Sequence, residues 1–400
     1  MILCRDNLAT TSTLGKRILD VPSLLDIMDQ DTAQTLFKEG AIFVFLDVPV
    51  GTEFGIDYNS WNVGPEFRGV KMIPAGLHFV YYSACNKEGQ TAPRTGFFYN
   101  FRKKEIVVRK WNRLLEDIDP DIDVRGDMLQ KFHDNKEEMD RYLGAYPYEN
   151  YKKWVSLSSC MSESLVEKLQ PENGKILSVS EFISESSDTA SRKKANDNQP
   201  DKSFIEPTSA REAESQLPQM KVQPGTFIRF TELPKKRYPE GSTPAEITKC
   251  SMDSTYILET LLKENLNSIE KDLLGEVQFS FICFLIGQVF DGFDQWKKLV
   301  HLLCSSESAL TNHTQLFLDF IGVLYFQVHE IPEDFFVDIV SQSNFLTTTL
   351  QEFFSNVDCS SADQSLKRKC RKFKEHLTSK FRWDFDSEPD EYAPVVVETN

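Results

Sequence analysis

Four hundred residues exceed the usual size of one domain, and a composition that is 40% hydrophobic and 12% aromatic can build more than one core. Lys plus Arg total 45 against 61 Asp plus Glu, a formal charge of −16 that disfavours broad contact with phosphate backbones and points to a protein partner rather than naked RNA. Eight scattered cysteines with no CxxC pair argue against a disulfide framework. The N-terminus has no apolar leader, and the longest apolar run, Val277 to Phe290, is broken by Gln278, Ser280 and Gln288, so neither secretion nor a membrane span is predicted.

Residues 1–30 have few aromatics and no clear period, and they read as a variable extension. From Asp31 the sequence predicts a short helix closed by Gly40 as a C-terminal cap, then a buried strand over Ala41–Val48. Gly51 to Pro74 alternates four glycines with Phe54, Ile56, Tyr58, Trp61, Phe67 and Met72, the pattern of short strands joined by tight turns. Trp61 reads there as a structural, buried side chain. Leu77–Ser83 is a further strand, and GFFYNF and EIVVRKW read as a pair joined across Arg102–Lys104. Residues 127–143 carry Met128, Phe132, Met139 and Leu143 at helical spacing, and two short helices are expected before Gln170. The N-terminal domain, 31–171, is thus expected to be strand-rich and mostly antiparallel, with helices added at its C-terminal side.

Residues 172–225 hold nine serines and four prolines, with only Phe182 and Phe204 as aromatics, the composition of a disordered linker. Ser184, Ser186, Ser187 and Ser191 are its phosphorylation candidates. After it, Thr226–Pro234 offers one more strand-like piece at the start of a second domain, 226–385, that is all-helical. Thr243-Pro244-Ala245-Glu246 combines an N-cap threonine, proline at the first helical position and glutamate three residues after the cap. Helices are predicted over residues 273–291, 293–304, 312–328, 333–340, 345–354 and 362–379, with Gly292, Pro332 and Asn344 marking breaks. The helix holding Phe279, Phe281, Phe284, Ile286 and Phe290 is apolar nearly all round and belongs inside a bundle or a solenoid-like stack. The fold class expected is α+β, a strand-rich N-terminal domain with an all-α C-terminal domain.

No glycine of the 51–74 stretch is followed by Lys-Ser or Lys-Thr, and no GxGxxG spacing occurs, so nothing there marks a phosphate loop. His301 and Cys304 lie three apart, but two ligands do not make a metal site. The remaining histidines stand alone in the sequence, although a triad assembled in space needs no local motif. No catalytic residue, cofactor or metal is assigned. Leu366–Arg382 carries eight basic residues and one acid, whereas Asp384–Asn400 carries six acids and no base. The basic run is either a nuclear-localisation or RNA-binding patch, or a solvated helix face that the acidic tail partly neutralises. The extended tail, 386–400, ends in Ala393-Pro394-Val395-Val396-Val397-Glu398. Pro394 restricts its approach, and Val395, Val396 and Val397 suit strand addition to a partner's sheet edge or to this protein's own sheet.

The 51–74 stretch, with KLQPE (168–172), PEGSTPAEITK (239–249), LGEVQFSFICFLIGQVF (274–290), IPEDFFVDIVSQSNFLTTTLQEFF (331–354), KFRWDF (380–385) and APVVVE (393–398), resembles the AAR-two family of splicing factors. The resemblance covers about Asp31 to Glu398 apart from the linker. It implies a non-catalytic assembly factor, cytoplasmic and nuclear, that binds the RNase-H-like and Jab/MPN-like modules of the large central protein of the U5 small nuclear ribonucleoprotein. Such a factor would act on a U5 assembly intermediate and keep a helicase from docking early. A trafficking or scaffold adaptor on a stacked-helix domain is the alternative.

Overall fold

The computed structural model describes residues 30–86, 88–120, 126–180, 182–184, 220–331 and 345–386. The helix expected over 333–340, the extension before residue 30, most of the 172–225 stretch and the tail beyond Asp386 lie outside them.

The N-terminal half is a sandwich of two five-stranded sheets, which comprise β1 (Ala41–Leu46), β2 (Glu53–Ile56), β3 (Asn59–Asn62), β4 (Gly69–Ile73), β5 (Gly76–Ser83), β6 (Thr95–Phe101), β7 (Ile106–Asn112), β8 (Asp117–Ile118), β9 (Leu143–Ala145) and β10 (Ile176–Leu177). One sheet runs β8-β7-β1-β4-β9 and the other β10-β6-β5-β2-β3. Most pairings are antiparallel, but β1 pairs with β7, and β4 with β9, in parallel. The pair expected across Arg102–Lys104 is therefore not a hairpin. β6 and β7 part company at that turn, β6 joining β5 in one sheet and β7 joining β1 in the other. Both strands are apolar enough to pair with anything, and the turn itself gives no sign that it crosses between layers.

Strand periodicity explains the layering. In β1, Ala41, Phe43 and Phe45 point between the sheets, where they meet Phe54, Tyr82, Phe101 and Trp111. Ile42 and Val44 point outward onto a small core with Leu129, Phe132 and Met139. Those three come from α2 (Asp127–Asp134) and α3 (Lys136–Met139), which follow α1 (Gln30–Glu39). In β5, Val80 and Tyr82 face the sandwich, while Phe79 and Tyr81 face the helices. β1 reads as a continuous apolar run because both of its faces are covered.

The helical layer begins with α4 (Tyr151–Ser158) and α5 (Glu163–Leu169), and continues with α6 (Pro244–Met252), α7 (Thr255–Asn265), α8 (Glu270–Leu285), α9 (Phe290–Cys304), α10 (Ala309–Asn312), α11 (Thr314–Glu330), α12 (Phe345–Cys359) and α13 (Gln364–Phe381). Its core is continuous with the outer face of the second sheet: Phe98 of β6 stacks on Phe279 of α8 at 5.0 Å between ring centroids. Arg94 adds a polar tie, donating to Glu53 Oε1 at 2.8 Å and to Ile286 O at 2.6 Å. The Thr243–Glu246 capping box forms as expected.

Three expectations are corrected. Gly40 does end α1, but not in a left-handed conformation: a Cβ there would sit 2.3 Å from Leu36 O and 2.9 Å from Met72 Cα, so the glycine serves close approach. The α8–α9 break falls at 286–289, with Gln288 at φ 59°, whereas Gly292 lies inside α9, where a Cβ would meet Ser280 O at 2.7 Å. Residues 226–234 form no strand; they cross the helices as irregular backbone. At the described ends of the 172–225 stretch, β10 joins β6, and β11 (Phe182–Ser184) pairs with β12 (Met220–Val222).

Candidate functional site

The tail residues Pro394, Val395, Val396 and Val397 lie outside the described residues, as do Ser186, Ser187 and Ser191. Ser184 is the last residue of β11, in register with Met220. His301 is exposed and Cys304 is buried on α9, so the two do not converge. Among the described residues no three His, Cys, Asp or Glu side chains are placed to share a metal ion.

Two polar clusters that the sequence does not advertise are closed off from solvent. Asp57, at φ 52° in the β2–β3 turn, accepts from the Phe79 N–H at 2.9 Å and from Tyr146 Oη at 2.6 Å, and its Oδ2 lies 2.6 Å from His78 Nδ1. His78 Nε2 donates to Pro74 O at 2.9 Å, and its ring stacks against Trp154. Burial, then the Asp57 charge, pushes the Tyr146 hydroxyl far above the ordinary phenol range. The second cluster centres on Glu276 of α8. It accepts from Thr231 N at 2.8 Å, Thr231 Oγ1 at 2.6 Å and Gln295 Nε2 at 3.0 Å. Each cluster pins irregular chain to regular structure: Asp57 fastens the β2–β3 turn to β5 and Tyr146, and Glu276 fastens residues 226–234 to α8 and α9. His78 stands alone in the sequence because its side-chain partner, Asp57, is 21 positions away and its near partner, Pro74, contributes only a main-chain carbonyl.

The surface tells more. β3 is the outer strand of the second sheet, and no described strand pairs with its far side. The Val63 N–H bonds Thr52 O, and the register pairs Trp61 with Phe54 and Ser60 with Gly55. The alternation of antiparallel bonding then turns the main-chain groups of Asn59 and Trp61 toward β2 and those of Ser60 and Asn62 outward. An edge of this kind is a template for another strand. Trp61 is not the buried side chain expected: it is 39% exposed, at the rim of the sandwich core beside this edge. The glycine-rich turns were legible, but a four-residue strand at the end of a sheet covers its aromatic on one side only. Leu114 and Leu115, in the β7–β8 turn, are also exposed.

An apolar core shared by the second sheet and the helices, with one outer strand edge that no described strand covers, defines an α+β protein in which a strand-rich half packs on an all-helical half. Residues 39–171 match the AAR2 N-terminal domain and residues 230–386 the AAR2 C-terminal repeat region. The Protein AAR2 homolog of Homo sapiens is 49% identical over 377 residues, covering 93% of this chain and 97% of that protein. The Protein AAR2 homolog of Caenorhabditis elegans is 40% identical over 359 residues, 88% of this chain and 96% of the relative. The A1 cistron-splicing factor AAR2 of Saccharomyces cerevisiae is 21% identical over 300 residues, 73% of this chain and 77% of the relative. The chain belongs to the AAR2 family.

Proposed function

We propose that this protein is a non-catalytic factor in pre-mRNA splicing, acting in assembly of a small nuclear ribonucleoprotein. The observation that carries the reading is the match to both AAR2 regions, within a family whose yeast member is named a splicing factor. The finer reading is that it binds the large central U5 protein through that protein's RNase-H-like and Jab/MPN-like modules during assembly, in cytoplasm and nucleus, and keeps a helicase from docking early. The open β3 edge and the Val395–Val397 strand candidate support a mode of binding in which main-chain ladders give affinity and flanking side chains give selectivity. No helix among the described residues is long and apolar enough to cross a membrane.

The test is recovery of partners from cell extract with the tagged full chain. U5 components are expected, and coat or membrane proteins without them would overturn the proposal in favour of a trafficking adaptor. Two variants locate the contact. Removing residues 387–400 is expected to leave the melting temperature nearly unchanged while weakening capture of the large U5 protein; if capture is unaffected, the tail takes no part in it.

Replacing Trp61 with alanine is expected to cost about 1–2 kcal/mol of stability, because the side chain is only partly buried. The same change should lower partner capture about tenfold or more if Trp61 anchors the strand added to β3. Full capture by a folded Trp61→Ala protein would remove this edge from the binding surface.

A further inference from the structure

The segment that joins residues 226–234 to α6 is strapped at both ends and free between them. Upstream, the Arg229 guanidinium donates to Glu167 O at 2.6 Å and to Gln170 O at 2.9 Å, and Thr231 is held by Glu276 and Gln295. Downstream, Ser242 Oγ donates to Pro239 O at 2.8 Å, and the Thr243 N–H donates to Glu246 Oε2 at 2.7 Å. Between these straps Lys235, Lys236, Arg237 and Tyr238 are exposed and belong to no helix or strand, and among the described residues none of their main-chain groups is hydrogen-bonded. Leu233 and Tyr238 each precede a proline, which disfavours helical backbone at both and leaves the segment an open loop. Three consecutive basic side chains stand on it. Extended chain advances about 3.3 Å per residue, so Lys235, Lys236 and Arg237 can place three positive charges along about 7 Å of backbone. Lys236 Nζ lies 3.4 Å from Glu240 Oε1, an exposed pair that contributes little and is readily exchanged for another acid, and Lys235 and Arg237 have no ion-pair partner among the described residues.

The longer basic run, on α13, is the poorer peptide signal. Its basic residues are distributed on a helix whose inner face, Leu366, Cys370, Phe373 and Leu377, is buried. Lys367 and Lys369 donate to Asp358 O at 3.1 Å and to Leu318 O at 2.6 Å, and Lys374 Nζ lies 2.6 Å from Asp386 Oδ1. Presenting that run as an extended peptide would unfold the end of the bundle, whereas the 235–238 loop needs no such change. Charge also selects the class of partner. Affinity for RNA grows with the number of phosphates neutralised, and three charges on a chain of net charge −16 give little of it. A protein groove lined with acidic side chains meets all three at close range, with complementary charge fixing the register of the peptide.

We propose that residues 234–239 are a nuclear-import signal, an exposed basic peptide taken in extended form by an import receptor whose groove is lined with acidic side chains. Its role rests on the nuclear location proposed for this protein and is independent of which ribonucleoprotein the protein serves.

The test is import of the purified full chain, fused to a fluorescent protein, into the nuclei of permeabilised cells supplied with purified import receptors and an energy source. Accumulation is expected with the receptors and not without them. The triple substitution Lys235→Ala/Lys236→Ala/Arg237→Ala should lower it about fivefold or more, the size three exposed ion pairs give together. The melting temperature should not move, because all three side chains are exposed. Arg371→Ala/Lys372→Ala, on the exposed face of α13, should import like the parent. Equal import of the triple variant and the parent would overturn the proposal. A parent that stays outside the nuclei, or enters only when a nuclear partner is added, would overturn it by making that partner the carrier. Accumulation without receptors would overturn it too, by making the basic residues a nucleic-acid contact. Capture of U5 components by the triple variant is expected to be intact, so loss of import and loss of the splicing partner are read separately.

Discussion

Alanine at position 276 is expected to destabilise the protein by about 3–5 kcal/mol, whereas glutamine leaves it as stable as the parent or more so. The alanine variant leaves the Thr231 N–H and one of the two Gln295 amide N–H groups buried without an acceptor, the other still donating to Thr231 O, at about 1–3 kcal/mol for each such group, and opens a cavity where the side chain was. Glutamine keeps the shape: its carbonyl takes the place of Oε1, and its amide donates to Thr231 Oγ1. It also removes a charge that the interior disfavours. Burial pushes the Glu276 carboxyl above the ordinary value near 4.5, with the Thr231 and Gln295 hydrogen bonds pulling the other way. The folded chain thus holds this proton more tightly than the unfolded chain does. That contribution is fully present at pH below the ordinary value and is lost as pH rises through the folded one. Thermal melts of parent and Glu276→Gln from acid to neutral pH should diverge, the parent losing ground as pH rises. Parallel curves would mean that Glu276 is not the group responsible.

Much of the architecture was legible because it rests on local signals. The Thr243-Pro244-Ala245-Glu246 start, the apolar α8 and the double-faced β1 each announce themselves within a few residues. What stayed hidden depends on distance in the chain. Nothing local says that β6 and β7 belong to different sheets, or that residues 226–234 spend their polar groups on α8 rather than on a strand partner. Gly292 looks like a helix breaker in sequence, yet its missing Cβ is what lets α9 approach Ser280 of α8. The same holds for the surface. Trp61 and its glycines are visible in sequence, but its half-exposure comes from β3 being last in its sheet, a property of the whole strand order.

Asp57 is the position at which one substitution should do most harm to the sandwich. Alanine there removes acceptors from the Phe79 N–H, the Tyr146 hydroxyl and the His78 ring together, all buried, and places an ordinary L-residue at φ 52°. Unsatisfied groups at about 1–3 kcal/mol and left-handed strain at about 1–2 kcal/mol bring the loss to the order of 5 kcal/mol. That is a large part of the roughly 5–15 kcal/mol that a domain has to lose. Asparagine is expected to be far milder, because it tolerates the left-handed backbone and keeps the shape. Its carbonyl can accept from the Phe79 N–H while its amide donates to His78 Nδ1 and Tyr146 Oη, with His78 Nε2–H still held by Pro74 O. Denaturant unfolding of the two variants separates the possibilities. A severe Asp57→Ala and a mild Asp57→Asn would show that hydrogen bonding and backbone conformation at this turn hold β2, β5 and Tyr146 together. If asparagine proved as damaging as alanine, the carboxylate charge itself would be the essential feature, and His78 would have to be its counter-charge.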